Sequence, residues 1–123
     1  MLQPGQIIND TYEVERLLGS GGMADVYAVA HRRMPRRFAL KVLRLDPGSR
    51  DAFLLRFRRE AEILATLQHP NIVDVVDRNQ TEDGSPYLVM ELLDGEDLGA
   101  FLDRTGPLAL PVALRIASQI GEA

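Results

Sequence analysis

With 123 residues, 46% of them apolar, and a formal net charge of −4 at pH 7, the chain can build one ordinary core and one domain. The acidic balance, with no basic stripe interleaved with aromatics, gives no electrostatic case for nucleic acid. The absence of cysteine excludes a disulfide framework and a zinc-thiolate site, and the two histidines, His31 and His69, lie too far apart in sequence to suggest a structural metal.

The N-terminus, Met-Leu-Gln-Pro-Gly-Gln, has no basic region followed by an apolar stretch, and no run approaches the ~20 apolar residues of a membrane span. A soluble, cytoplasmic chain is expected. Apolar and polar residues alternate through Tyr12, Val14 and Leu17-Leu18, then Val26 to Val29, then Phe38 to Leu43, which predicts three strands in an antiparallel meander. Asp46-Pro47-Gly48 stops the third, and Ser49 or Asp51 can cap a helix over about 52–68 that ends at His69-Pro70. Ile72 to Val76 and Tyr87 to Leu92 read as two further strands around the turn signal Asp83-Gly84. Gly95 to Arg104 predicts a short helix, and after Gly106-Pro107 the apolar stretch Leu110 to Ile120 predicts another.

One position stands out chemically. The chain has thirteen arginines and a single lysine, Lys41, so that site wants a compact ammonium with three movable donors in place of a planar fork. Phosphate oxygens are one such partner. On its strand Lys41 shares a face with Ala39 and Leu43, and a charge on that face needs a carboxylate or a phosphate within reach. On the helix, Phe53, Phe57, Glu60, Leu64 and Leu67 fall on one stripe while Glu62 lies opposite, so Glu60 interrupts an apolar seam and is the natural partner of Lys41. The Arg56, Arg58, Arg59 cluster reads as a solvated helix surface.

The turn Gly19-Ser20-Gly21-Gly22-Met23-Ala24 lets backbone approach a phosphate chain closely. No Gly-Lys-Ser/Thr follows, which excludes a Walker loop, and the strand at Val26 to Ala30 stands where a dinucleotide-binding turn requires a helix. A phosphate-covering strand-turn-strand loop and a plain glycine-rich hairpin both stay open at this point.

The glycine turn, Phe-Ala-Leu-Lys-Val, Glu60 in Phe-Arg-Arg-Glu, His-Pro-Asn-Ile-Val after the helix, and Tyr-Leu-Val-Met-Glu-Leu before Asp94-Gly95 occur together in one order. In these motifs the chain resembles the N-terminal lobe of a Hanks-type serine/threonine protein kinase, and Gly-Gly-Met-Ala-Asp-Val-Tyr is similar to the bacterial receptor-type kinases. The resemblance implies an α+β fold: a five-stranded antiparallel sheet with one main packed helix, then a hinge and the first helices of a second lobe. It divides the chain into an N-terminal extension (1–11), the first lobe with its hinge (12–93) and the start of the second lobe (94–123). It implies that residues 19–24 cover the phosphates of ATP, that Lys41 binds the α- and β-phosphates and pairs with Glu60, and that Leu18, Val26 and Ala39 line the adenine. Met90 becomes the gatekeeper, the backbone of Glu91 and Leu93 meets the adenine edge, and Asp97 approaches the ribose. His69 is given a structural role. Ala24 replaces the family's third glycine.

The family's His-Arg-Asp catalytic loop and Asp-Phe-Gly metal site do not occur in the sequence, so magnesium is expected only in an intact enzyme. The resemblance therefore predicts an ATP-binding portion of a kinase, inactive by itself, with a protein substrate belonging to the intact enzyme; a stand-alone nucleotide-binding or kinase-docking module is the alternative. The pattern breaks off inside an apolar helix, and self-association through exposed apolar surface is expected.

Overall fold

The computed structural model describes residues 2–44, 50–66 and 68–123, apart from the side chains of Arg50, Phe53, Leu64 and Ala65. Among the described residues the chain runs β1 (Ile7–Ile8), β2 (Tyr12–Ser20), β3 (Ala24–His31), β4 (Arg37–Leu43), α1 (Arg50–Thr66), β5 (Val75–Gln80), β6 (Pro86–Glu91), α2 (Leu98–Thr105) and α3 (Leu110–Glu122). The strands form one antiparallel sheet in the order β1-β2-β3-β4-β6-β5. Two compact units result, one of residues 1–68 and 74–92, the other of residues 69–73 and 93–123.

The sheet has six strands where the alternation predicts five. The additional strand is β1, whose two residues are too few to show a period of two. It is turned onto β2 by Asn9 and Asp10, both with positive φ (48° and 54°), a conformation those two residue types tolerate. The 1–11 extension is thus part of the first unit: Ile8 is buried, and Leu2 packs against the core.

Alternation places the core on one face of the sheet. Tyr27 pairs with Leu40 and Leu40 with Val89; Val29 pairs with Phe38. These residues, with Tyr12, Val14 and Tyr87, are almost fully buried. The polar tips of the three tyrosines are all bonded. Tyr12 donates to Asp77 Oδ2 (2.8 Å), Tyr87 Oη accepts from Asn9 Nδ2 (2.6 Å), and Tyr27 Oη accepts from the Leu2 amide (3.0 Å). Two irregularities in β2, at Glu15 and Leu18, interrupt its pairing with β3 and let the sheet curl.

β5 starts later than the apolar run Ile72 to Val76 suggests. The Ile72 amide closes a turn on His69 O (3.0 Å), and pairing begins at Val75 because β5 is an edge strand whose remaining residues, Asp77 to Gln80, are polar. α1 runs two residues earlier than predicted at both ends; the stop signal at Asp46-Pro47-Gly48 and the Ser49 cap lie outside the described residues.

In the second unit Asp97 caps α2, its Oδ1 accepting from the Ala100 amide (2.6 Å), and Gly106, with φ of 80°, ends that helix. Asn71 Nδ2 donates to Gln119 O (2.8 Å) on α3, while His69 Nδ1 accepts from the Asn71 amide (3.0 Å), a structural role for this histidine. α3 has no buried residue, and Leu110, Leu114 and Ile120 are 60–70% exposed.

The buried tyrosines make the fold sensitive to alkali. Burial, then the hydrogen bond to Asp77 and the charge of that carboxylate, raise the Tyr12 hydroxyl well above its ordinary 10.0, and burial raises Tyr87. Above pH 10 the unfolded chain loses these protons while the folded chain keeps them, so stability falls as pH rises. Urea midpoints measured from pH 8 to pH 11 should decline, and Tyr12→Phe should flatten the decline. A wild-type midpoint independent of pH across this window would contradict the burial argument.

Candidate functional site

Because β3, β4 and β6 alternate, burying Tyr27, Leu40 and Val89 on one face presents Val26, Lys41 and Leu88 on the other, where they are direct cross-strand neighbours. The adjacent row is Ala28, Ala39 and Met90. Ala39 and Leu88 are 8% exposed, and Lys41 and Met90 are half-buried. Of the sequence-predicted residues of the first unit, Val26, Ala39, Lys41 and Met90 therefore share one sheet face. Ala28 and Ala39 are the small residues of this face, and both are buried.

The glycine turn joins β2 to β3 at the end of this face. Gly19 pairs with Val26 and Ser20 with Asp25, and the Gly21 amide donates to Ala24 O (2.9 Å) to close the turn. A Cβ added at Gly19 or Gly22 would meet nothing within 4 Å, and one at Gly21 would meet only Ala24 O at 3.7 Å. The glycines are thus not required by packing inside the chain. They keep a backbone surface bare. Leu18 occupies the irregularity just before the turn and is partly exposed, as is Met23 at its tip.

The Lys41 side chain makes no hydrogen bond or ion pair among the described residues. It lines a cavity of about 170 Å³ together with Leu43, Phe57, Glu60, Ala61 and Leu88, so α1 does bring Glu60 to the side of the sheet that carries Lys41. The two charges do not form an ion pair in this arrangement. The seam is turned by about one position from the predicted stripe: Ala61 is fully buried, Leu54 and Phe57 are partly buried, and Glu60 is exposed beside them. Alanine at 61 lets the helix approach the sheet closely, which a stripe drawn through the larger apolar residues does not reveal. Of that stripe, Leu67 and the side chains of Phe53 and Leu64 lie outside the described residues.

Glu62, on the opposite flank, pairs with Arg78 of β5 (3.2 Å), and Arg78 also donates to the Arg58 carbonyl (3.0 Å). Arg56, Arg58 and Arg59 are exposed, as the sequence suggests. Of the remaining predicted residues, Glu91 ends β6 and donates its amide to Asp74 O (3.0 Å). Leu93 and Asp97 belong to the second unit, where Leu93 is 63% exposed. Two residues that the motif reading passed over belong with the turn: Asp25, buried beside Ser20, and Arg44. An acidic residue at a position of β3 that alternation assigns to the core was the available signal. Among the described residues, no group of three or more His, Cys, Asp or Glu side chains could hold a metal ion, and no helix is long and apolar enough to cross a membrane.

The family model of the protein kinase domain matches residues 12–123. The chain belongs to the protein kinase family. It is 40% identical over 116 residues to serine/threonine-protein kinase PrkC of Bacillus subtilis, covering 94% of this chain and 18% of PrkC. It is 41% identical to serine/threonine-protein kinase PknA of Mycobacterium tuberculosis, covering 97% of this chain and 28% of PknA. The crystal structure of the M. tuberculosis PknI kinase domain superposes with a TM-score of 0.83 at 35% identity, over 98% of this chain and 48% of that domain. The chain spans less than a third of these two curated relatives and about half of the solved kinase domain.

Asp97 has a measurable structural role in α2. Removing the cap with Asp97→Ala should cost about 1 kcal/mol of helix stability without any nucleotide present, and Asp97→Asn should retain most of it. Equal amide protection of α2 in wild type and Asp97→Ala would rule out the capping contribution.

Proposed function

We propose that the chain is the ATP-binding portion of a serine/threonine protein kinase and that it transfers no phosphoryl group by itself. The observation that carries this reading is the row Gly19, Val26, Lys41: bare glycine backbone, a small apolar wall and a partnerless ammonium on one sheet face. The donor set fits a nucleotide. Lys41 would hold the α- and β-phosphates as a point charge, and the backbone of Gly19, Ser20, Gly21, Gly22, Met23 and Ala24 would cover the phosphates. Leu18, Val26 and Ala39 would enclose the adenine, with Met90 at its back. Glu91, whose amide is already donated, would contribute its carbonyl oxygen. For Leu93 at the adenine edge and Asp97 at the ribose, the support is the family resemblance alone.

ATP supplies the transferable γ-phosphoryl group when bound. What this chain's own residues contribute is positioning, and Glu60 would orient the Lys41 ammonium once the two approach. Positioning and charge neutralisation are most of phosphoryl-transfer catalysis, and the sequence contains neither the His-Arg-Asp loop that supplies the base nor the Asp-Phe-Gly metal site. Protein substrate and magnesium use would belong to an intact enzyme.

Calorimetric titration tests this directly. Lys41→Ala should weaken ATP binding by about 10- to 100-fold, the range of one charge-assisted contact, while Lys41→Arg should recover it only in part. No labelled phosphate should reach a protein acceptor. Robust transfer abolished by Lys41→Ala would overturn the claim of inactivity; ATP affinity unchanged by Lys41→Ala would overturn the site.

A further inference from the structure

We propose that Asp25 is a positioning residue for the glycine turn, a buried carboxylate clasp that ties Ser20 on one arm of the turn to Arg44 at the end of β4. Asp25 is 5% exposed and shares its face of β3 with the core residues Tyr27 and Val29, a place ordinarily taken by an apolar side chain. Its carboxylate is held there by two groups acting on the same oxygen: Ser20 Oγ donates to Oδ1 at 2.5 Å, and the Arg44 guanidinium lies 3.4 Å from it.

Both partners belong to the turn's supports. Ser20 is the last residue of β2 and the direct cross-strand neighbour of Asp25. Arg44 follows β4 and acts twice, since its amide also donates to the carbonyl of Met23 at the turn's tip (2.8 Å). The clasp stands one residue out of step with the row Gly19, Val26, Lys41, so it grips the turn from the face opposite the lysine. Gly21 and Gly22 have no side chains with which to brace the tip, and among the described residues its backbone is fastened only by Gly21 to Ala24 and Arg44 to Met23. The pitch of a bare glycine turn is therefore set from behind, by Ser20, Asp25 and Arg44. That this pitch serves phosphate binding rests on the function proposed above; that the clasp holds the turn does not.

The test separates the two. In nucleotide-free protein, amide exchange is measured at Gly21 and Arg44, whose N–H groups close the turn, with Leu40 and Val89 as core references. Ser20→Ala and Asp25→Ala should each accelerate exchange at Gly21 and Arg44 by about tenfold and leave the references unchanged, whereas Asp25→Asn, which keeps an acceptor for Ser20, should fall between. In the same variants affinity for ATP should fall more than affinity for adenosine, a split that general destabilisation would not produce. Unchanged exchange at both amides in Ser20→Ala, which removes one hydroxyl and leaves the buried acid in place, would overturn the clasp even where Asp25→Ala fails to fold. Equal losses for ATP and adenosine would overturn its role in positioning phosphate. A wild type that binds neither ligand would overturn the proposed function, and the exchange rates would still decide the clasp.

Discussion

The burial of Tyr27, Leu40 and Val89 as one cross-strand row is the constraint on which the first unit depends. A strand has a period of two, so once these side chains enter the core, Val26, Lys41 and Leu88 must face the other way. A slip of one residue in β4 would exchange Leu40 for Lys41, exposing a fully buried leucine and driving an ammonium into a core of aromatics. The first change costs about 1.5–3 kcal/mol of lost apolar burial, and the second adds the desolvation of a charge. The register of the candidate site is thus enforced by the face of the sheet that the site does not occupy.

Among the described residues that core face has no second sheet to cover it. It is closed instead by the N-terminal segment, with Ile8 buried and Leu2 packed against the cluster, and by hydrogen bonds at the rim. Asn9 joins the two sides, donating to the Tyr87 hydroxyl and to Gln80 O (2.9 Å) across the sheet. Large aromatics fill the space efficiently only if their polar tips find partners, and Asp77, Asn9 and the Leu2 amide are those partners.

On the opposite face α1 is fastened along one flank. Arg78 reaches Glu62 and the Arg58 carbonyl, and Ala61 is buried between, while on the other flank a cavity separates Glu60 from Lys41. An exposed ion pair is worth about 0–1 kcal/mol, so the Arg78–Glu62 pair weighs little against the packing of Ala61. The position of this helix is a matter of packing first and charge second. Glu60 and Lys41 line the same cavity without forming an ion pair.

The sequence by itself determined the strands carrying Tyr27, Lys41 and Val89, the main helix, the family, and the face on which Lys41 stands, because all of these follow from local periodicity and from motifs that retain their order. It also announced Glu60 and Glu62 as opposite flanks of one helix. What only the tertiary structure decided was of a different kind. The pairing of β1 with β2, the late start of β5 and the seating of α1 on Ala61 depend on contacts between segments far apart in the chain, and no period within a segment encodes them. The Asp25 clasp shows the same division: alternation predicts that residue 25 faces the core, but a buried carboxylate makes sense only when Ser20 of β2 and Arg44, just after β4, are brought to it.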